Sequence, residues 1–167
     1  MAKLNDYRRI IGYSYLLYIV LIIPVSLFHE LGHGAVCYAN GYQFDMWLDL
    51  RGAHSLCSGI PDNNFLVGAM GGMFGLLASL GILAFWHYFS KTIVPLAPVA
   101  LALMVDQGLK IILEGFLPRL YSAGRFDLLI TILQIISVAL FAIYFARKLL
   151  RQGNSRHYLP RESRLGI

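Results

Sequence analysis

Charge is what this sequence has least of. Of its 167 residues 14% are Asp, Glu, Lys or Arg, while 57% are hydrophobic and the mean hydropathy is +0.62. That balance excludes an ordinary soluble domain. The basic excess, net +5, gathers at the two ends of the chain. Such flanks orient a membrane protein and touch anionic lipid, so nucleic acid is not expected as a partner. Cysteine is limited to Cys37 and Cys57, too few for a disulfide framework. Internal repeats and low-complexity tracts are absent. Lys3, Arg8 and Arg9 precede an apolar run as in a signal peptide, but no small-residue cleavage pattern follows, so the run is read as a retained helix. The length leaves no room for a second globular domain of usual size. The expected organisation is one transmembrane domain over residues 1–150 and a basic, polar, mobile tail from 151 to 167.

Four long apolar segments are present. They predict an all-α membrane protein of about four transmembrane helices, with a short β-hairpin or strand after the first. Residues 10–40 read as one helix, kinked at Pro24 and capped at Asn40-Gly41. Over residues 42–50 the period changes to two. Tyr42, Phe44, Met46, Leu48 and Leu50 alternate with mostly polar neighbours, Arg51-Gly52 is a turn candidate, and residues 53–60 return. Residues 64–89 form a second helix with a small-residue stripe, Gly68, Gly71, Gly72, Gly75 and Ser79, expected to admit a close neighbour such as the first helix. Residues 93–117 form a third, broken or kinked near Pro95 and Pro98. A loop over 118–125 and a fourth helix over 126–146 follow. Gln134 inside that helix suits an interhelical hydrogen bond.

The densest chemistry lies at His29-Glu30-Leu31-Gly32-His33. Four residues turn a helix by about 400°, so the two imidazoles share a face and can reach one ion. Zn²⁺ accepts neutral histidine nitrogen, and in this motif the glutamate is the base toward the attacking water. Ionisable groups near membrane depth are costly and usually functional. The third helix carries Asp106, Lys110 and Glu114 at intervals of four, hence on one face. Lys110 can pair with either acid, and either Asp106 or Glu114 can supply a third ligand. About 12 Å of helix separates them, so both cannot bind one ion. His54-x-x-Cys57 has metal-pair spacing but no second pair, Cys37 reads as packing, and His87 reads as part of an interfacial aromatic belt with Trp86 and Tyr88.

The stretch Phe28-His29-Glu30-Leu31-Gly32-His33, followed by a small residue at Cys37, resembles the site-2-protease family of intramembrane zinc metalloproteases. The resemblance implies that His29 and His33 are zinc ligands and Glu30 the catalytic base. Gly68 and Gly72 match the family's Gly-x-x-x-Asn/Ser/Gly motif on the next helix. Val105-Asp106-Gln107-Gly108 is similar to its Asp-Gly motif, which implies Asp106 as third ligand in preference to Glu114. Substrate-positioning roles for Gly68, Gly72 and Gln107 come with it. The likeness covers residues 20–115. It departs from the family where Gln107 replaces the usual Gly, where the Asn and close-set prolines before the Asp are missing, and where no peptide-binding insert is present.

The expected function is that of a zinc-dependent intramembrane endopeptidase, cleaving transmembrane protein substrates within or beside the bilayer. The strand over 42–50 is a candidate clamp for an unwound substrate. The alternative is a non-proteolytic, metalloprotease-like scaffold subunit of a larger membrane complex. Homo-oligomeric assembly stays open. With four crossings, ten of the fourteen Lys and Arg share the side of both termini, Lys91 among them, so both termini are expected to be cytoplasmic.

Overall fold

The structure, a computed structural model, describes residues 2–49, 52–59, 64–89 and 93–157. Helix α1 (Ala2–Ala39) is followed by the strands β1 (Phe44–Asp49) and β2 (Gly52–Cys57). Then come α2 (Asn64–Phe89), α3 (Leu96–Phe116), the short α4 (Pro118–Ser122) and α5 (Asp127–His157). Four helices are long and apolar enough to cross a bilayer, at Tyr7–Ala39, Phe65–Phe89, Leu96–Phe116 and Asp127–Leu149. The chain is an all-α, multi-pass membrane protein with one antiparallel hairpin after its first helix.

The sequence explains most element ends. Pro24 lies inside α1, which stops in a glycine-capped turn. Gly41 has φ +79°, its N–H donates to the Tyr38 carbonyl (2.9 Å), and the Tyr42 N–H reaches back to the Cys37 carbonyl (3.2 Å). Helix α1 starts at Ala2, ahead of the expected residue 10, because no glycine or proline interrupts the basic lead before Gly12. Pro95 and Pro98 do not break a helix. Pro95 is the N-cap of α3 and Pro98 lies in its first turn, where a proline's missing N–H is harmless. The loop expected over 118–125 contains α4, opened by Pro118. Helix α5 runs past 146 to His157, so the expected tail begins as helix, and residues 158–167 lie outside the described residues. Lys91 and Arg51 also lie outside them.

Helix α3 is the centre of the bundle. Of the apolar window in each span, 56% is buried in α3, against 33% in α2 and 17% in α1 and α5. Large side chains on the outer helices, such as Leu16, Ile19, Leu128 and Leu140, are exposed, as lipid-facing positions require. Tyr18, Val25, Val99, Ala102, Leu103 and Val138 form the buried core between α1, α3 and α5. The glycine stripe of α2 fits a different neighbour from the one expected. Gly68 and Gly72 press on the α3 backbone around Glu114, Gln107 and Ile111, and Gly75 on the Gln107 side chain. Only Gly71 faces α1, where the Gly32 backbone in turn meets Met70 and Gly71.

The hairpin pairs Phe44 with Cys57 through to Asp49 with Gly52, and Gly52 opens β2 at φ +133°. Alternation along β1 does not produce one buried face, since Asp45 to Asp49 are all exposed and only Phe44 is half-buried, its ring against Gly34. The reason is that β2 lies nearer α1 while β1 is the outer strand. A disulfide joins Cys37 to Cys57 and ties the end of α1 to β2. This corrects the reading of Cys37 as simple packing. It also removes the His54-x-x-Cys57 pair as a metal site, because Cys57 is bonded to Cys37 and His54 Nε2 lies 3.0 Å from Asp49 Oδ1.

Candidate functional site

The hairpin-side ends of α1 and α3 and the start of α2 bring the site together. His29 and His33 stand one turn apart on α1, their Nε2 atoms 3.2 Å from each other. Glu114 on α3 places Oε2 at 3.1 Å from His29 Nε2 and 3.3 Å from His33 Nε2. The three atoms form a nearly equilateral triangle. His29 and Glu114 are each 5% exposed, so two corners of the triangle are buried. Gly71 closes it from α2, at a position where any Cβ would run into the two imidazoles.

The hydrogen bonds on the far sides of the rings decide what the triangle presents. His33 Nδ1 lies 2.7 Å from the Val67 carbonyl, which only accepts, so Nδ1 carries a hydrogen and, in the neutral ring, Nε2 a lone pair. His29 Nδ1 lies 2.9 Å from Gln107 Oε1. The Gln107 amide cannot be turned over, because its Nε2 donates to Asp106 Oδ2 at 2.9 Å. His29 therefore also donates from Nδ1, and in the neutral ring it keeps a lone pair at Nε2. Neither oxygen of Glu114 receives a hydrogen bond among the described residues. Two imidazole lone pairs and one carboxylate oxygen converge with no donor between them. Such an arrangement repels itself unless a positive charge sits there.

Glu30 flanks this triangle. It is half-buried, and its Oε2 accepts a 2.5 Å hydrogen bond from the Ser55 hydroxyl of β2. One candidate ligand atom each from His29, Glu30 and His33 lie within 4.8 Å of one another, so Glu30 too is within reach of a shared ion. Glu114 is better placed to complete a ligand set, because it contacts both imidazoles while Glu30 is turned toward β2. A cavity of about 620 Å³ opens over the cluster, lined by Glu30, Ser26, Lys110, Arg119, Tyr121 and Ser122 among others. The Tyr121 phenol, on α4, is held well above its ordinary pKa by burial and next by the negative charge of Glu114, so it stays protonated.

Asp106 is elsewhere. Its Oδ1 accepts from Gln134 Nε2 (2.8 Å), and its Oδ2 takes both Gln107 Nε2 and the Lys110 ammonium (3.2 Å). The preference for Asp106 over Glu114 at the imidazoles is thus corrected. Three donors occupy Asp106, and it sits two helical turns before the residue that meets the histidines. Gln107 turns toward His29 and Asp106, away from the open cavity, and is fully buried. Of the paired glycines, Gly68 lines the cavity while Gly72 packs on α3. Sequence reasoning missed Ser55, Val67 and the role of Gly71. Gly71 had a signal, since it lies on the same small-residue stripe. A backbone carbonyl such as that of Val67 leaves none.

Comparison with models of protein families, with curated proteins and with solved structures finds no match to this chain.

Proposed function

We propose that the chain is a zinc-dependent endopeptidase embedded in the membrane, with His29, His33 and Glu114 as ligands and Glu30 as the general base. The carrying observation is the triangle of two imidazole nitrogens and one carboxylate oxygen at 3.1, 3.2 and 3.3 Å. Zinc bound to nitrogen and oxygen ligands at about 2.0–2.1 Å in a tetrahedron needs donor atoms about 3.3 Å apart, so the residues fit the ion. The histidines also carry the partners expected of ligands, each donating its other ring nitrogen to a fixed acceptor. The ligand set follows a two-histidine, one-glutamate pattern in place of the Asp-Gly motif of site-2 proteases, which the first motif still resembles.

Zinc held there would act as a Lewis acid, polarising the scissile carbonyl and making water a stronger nucleophile. Glu30 takes the proton of the attacking water and returns it to the leaving amine. Ser55 holds the Glu30 carboxylate while this happens. The 620 Å³ cavity gives water and an extended peptide room beside the cluster. A helical substrate must unwind to enter it, because its carbonyls are otherwise bonded within the helix, and the free edge of the hairpin is suited to receive the extended strand. The Cys37–Cys57 bridge, on the hairpin side, belongs in an oxidising compartment. Arg147, Lys148 and Arg151 lie at the opposite end of α5, and this basic end supports the reading in which both termini are cytoplasmic.

A proton on either Nε2 is the competing occupant of the triangle, giving a buried imidazolium–carboxylate pair. Metal content and proteolysis together decide. One zinc per chain, and cleavage of a membrane-tethered reporter that Glu30→Gln loses while keeping its zinc, supports the protease. A folded wild type that takes up no zinc on remetallation overturns it and leaves the scaffold subunit. Bound zinc with cleavage undiminished in Glu30→Gln overturns the role of Glu30.

A further inference from the structure

A buried polar chain leads away from the metal triangle, and no step of hydrolysis uses it. It runs from His29 Nδ1 to Gln107 Oε1 (2.9 Å), from Gln107 Nε2 to Asp106 Oδ2 (2.9 Å), and from Asp106 to Lys110 Nζ (3.2 Å) and Gln134 Nε2 (2.8 Å). Gln107 is fully buried, Asp106 is 4% exposed, and the Gln107 side chain rests in a cradle that exists only because residue 75 is glycine. A polar network this deep in an apolar bundle is costly unless every member is satisfied, and this one is.

We infer that Asp106 and Gln107 are positioning residues that set the tautomer of His29 and thereby the affinity of the metal centre. The inference rests on the metal reading above. An amide is symmetrical in shape and polar in sense, so something must tell Gln107 which end faces the histidine. Asp106 does so. The ionised Asp106 carboxylate can only accept, and the Lys110 ammonium, which can only donate, holds it in that state. Gln107 must then give Asp106 its NH₂ and His29 its oxygen. His29 must donate from Nδ1, which leaves Nε2 free to bind. Reversing the amide would place the His29 hydrogen on Nε2, inside the triangle, and exclude the ion. Lys110 balances the Asp106 charge, so the relay adds direction without net negative charge. Gln134 brings α5, which supplies no ligand, into the same network.

The role separates cleanly from that of a ligand. Asp106→Asn can keep its oxygen toward Lys110 and Gln107 and turn its NH₂ toward Gln134, whose own amide is free to reverse. The relay survives that change, whereas a ligand carboxylate would not. Gln107→Met fills the same cradle but offers His29 no acceptor.

The experiment measures Zn²⁺ affinity of the detergent-purified full chain by competition with a chromophoric chelator. In parallel, ¹⁵N-histidine spectra of the metal-free protein report the His29 tautomer. The expected result is wild-type affinity within about threefold for Asp106→Asn. Gln107→Met and Asp106→Leu should bind about 10–100-fold more weakly. The wild type and Asp106→Asn should hold His29 as Nδ1–H, and Gln107→Met should populate Nε2–H. Wild-type affinity and tautomer in Gln107→Met overturn the relay. So does loss of zinc in Asp106→Asn, which would return Asp106 to the ligand set. A wild type that binds no zinc overturns the metal reading, while the His29 spectra still decide the relay. If Asp106→Leu fails to fold, Gln107→Met and Asp106→Asn carry the test.

Discussion

Two carboxylates on one face of α3, eight residues apart, have opposite surroundings. Asp106 and Glu114 are equally buried, at 4% and 5% exposure. Around Asp106 every neighbour is a donor: an ammonium and two amide NH₂ groups. Around Glu114 the close neighbours are two imidazole nitrogens, with the Tyr121 phenol also facing the carboxylate, and among the described residues neither oxygen has a hydrogen-bond partner of good geometry. The first carboxylate is finished by the protein itself. The second is left open, which is the observation behind the proposed metal site. Burial and sequence spacing do not distinguish the two acids. The donor count around each does.

The comparison breaks most visibly at Glu30 and Glu114. Glu30→Gln should leave zinc content unchanged and lower cleavage of a membrane-tethered reporter by about 10²–10⁴-fold. Gly71→Ala should come next, because its Cβ would meet both imidazoles. Zinc affinity should fall at least tenfold and stability by about 1–3 kcal/mol, read from a chelator titration and a thermal melt. Gly81→Ala on the same helix meets nothing within 4 Å and serves as the neutral control. Cys37→Ser with Cys57→Ser should cost about 3 kcal/mol of stability for a bridge spanning 20 residues. Zinc should be retained and cleavage reduced, since the bridge holds the hairpin and not the triangle. Ser55→Ala should have the smallest effect, about tenfold on turnover with unchanged zinc affinity, as expected for one hydrogen bond to a charged group.

Much of this was legible in the sequence, and the boundary has a physical origin. The four spans were readable because lipid demands long apolar helices, and the hairpin because its period changes to two. Gly41 marked the end of α1 by its chemistry. His29 and His33 could be placed on one face by helical periodicity alone. The choice between Asp106 and Glu114 could not, because it depends on how far α3 slides along α1. That registry is set by contacts of Gly68, Gly72 and Gly75 with α3, which are three-dimensional. Resemblance to a family motif pointed to Asp106, yet Gln107 in place of the usual glycine was a sign that the local arrangement differs. In the structure this same side chain separates Asp106 from His29. The Cys37–Cys57 bridge was hidden for a similar reason. Two cysteines carry no pattern until the hairpin folds back onto α1.

The most direct measurement is zinc per chain in purified wild type, Glu114→Ala and Asp106→Asn, each remetallated and washed under identical conditions and shown to be folded. With Glu114 as the third ligand, wild type and Asp106→Asn hold close to one zinc and Glu114→Ala holds almost none. Full zinc in Glu114→Ala together with its loss in Asp106→Asn would contradict that assignment and make Asp106 the ligand.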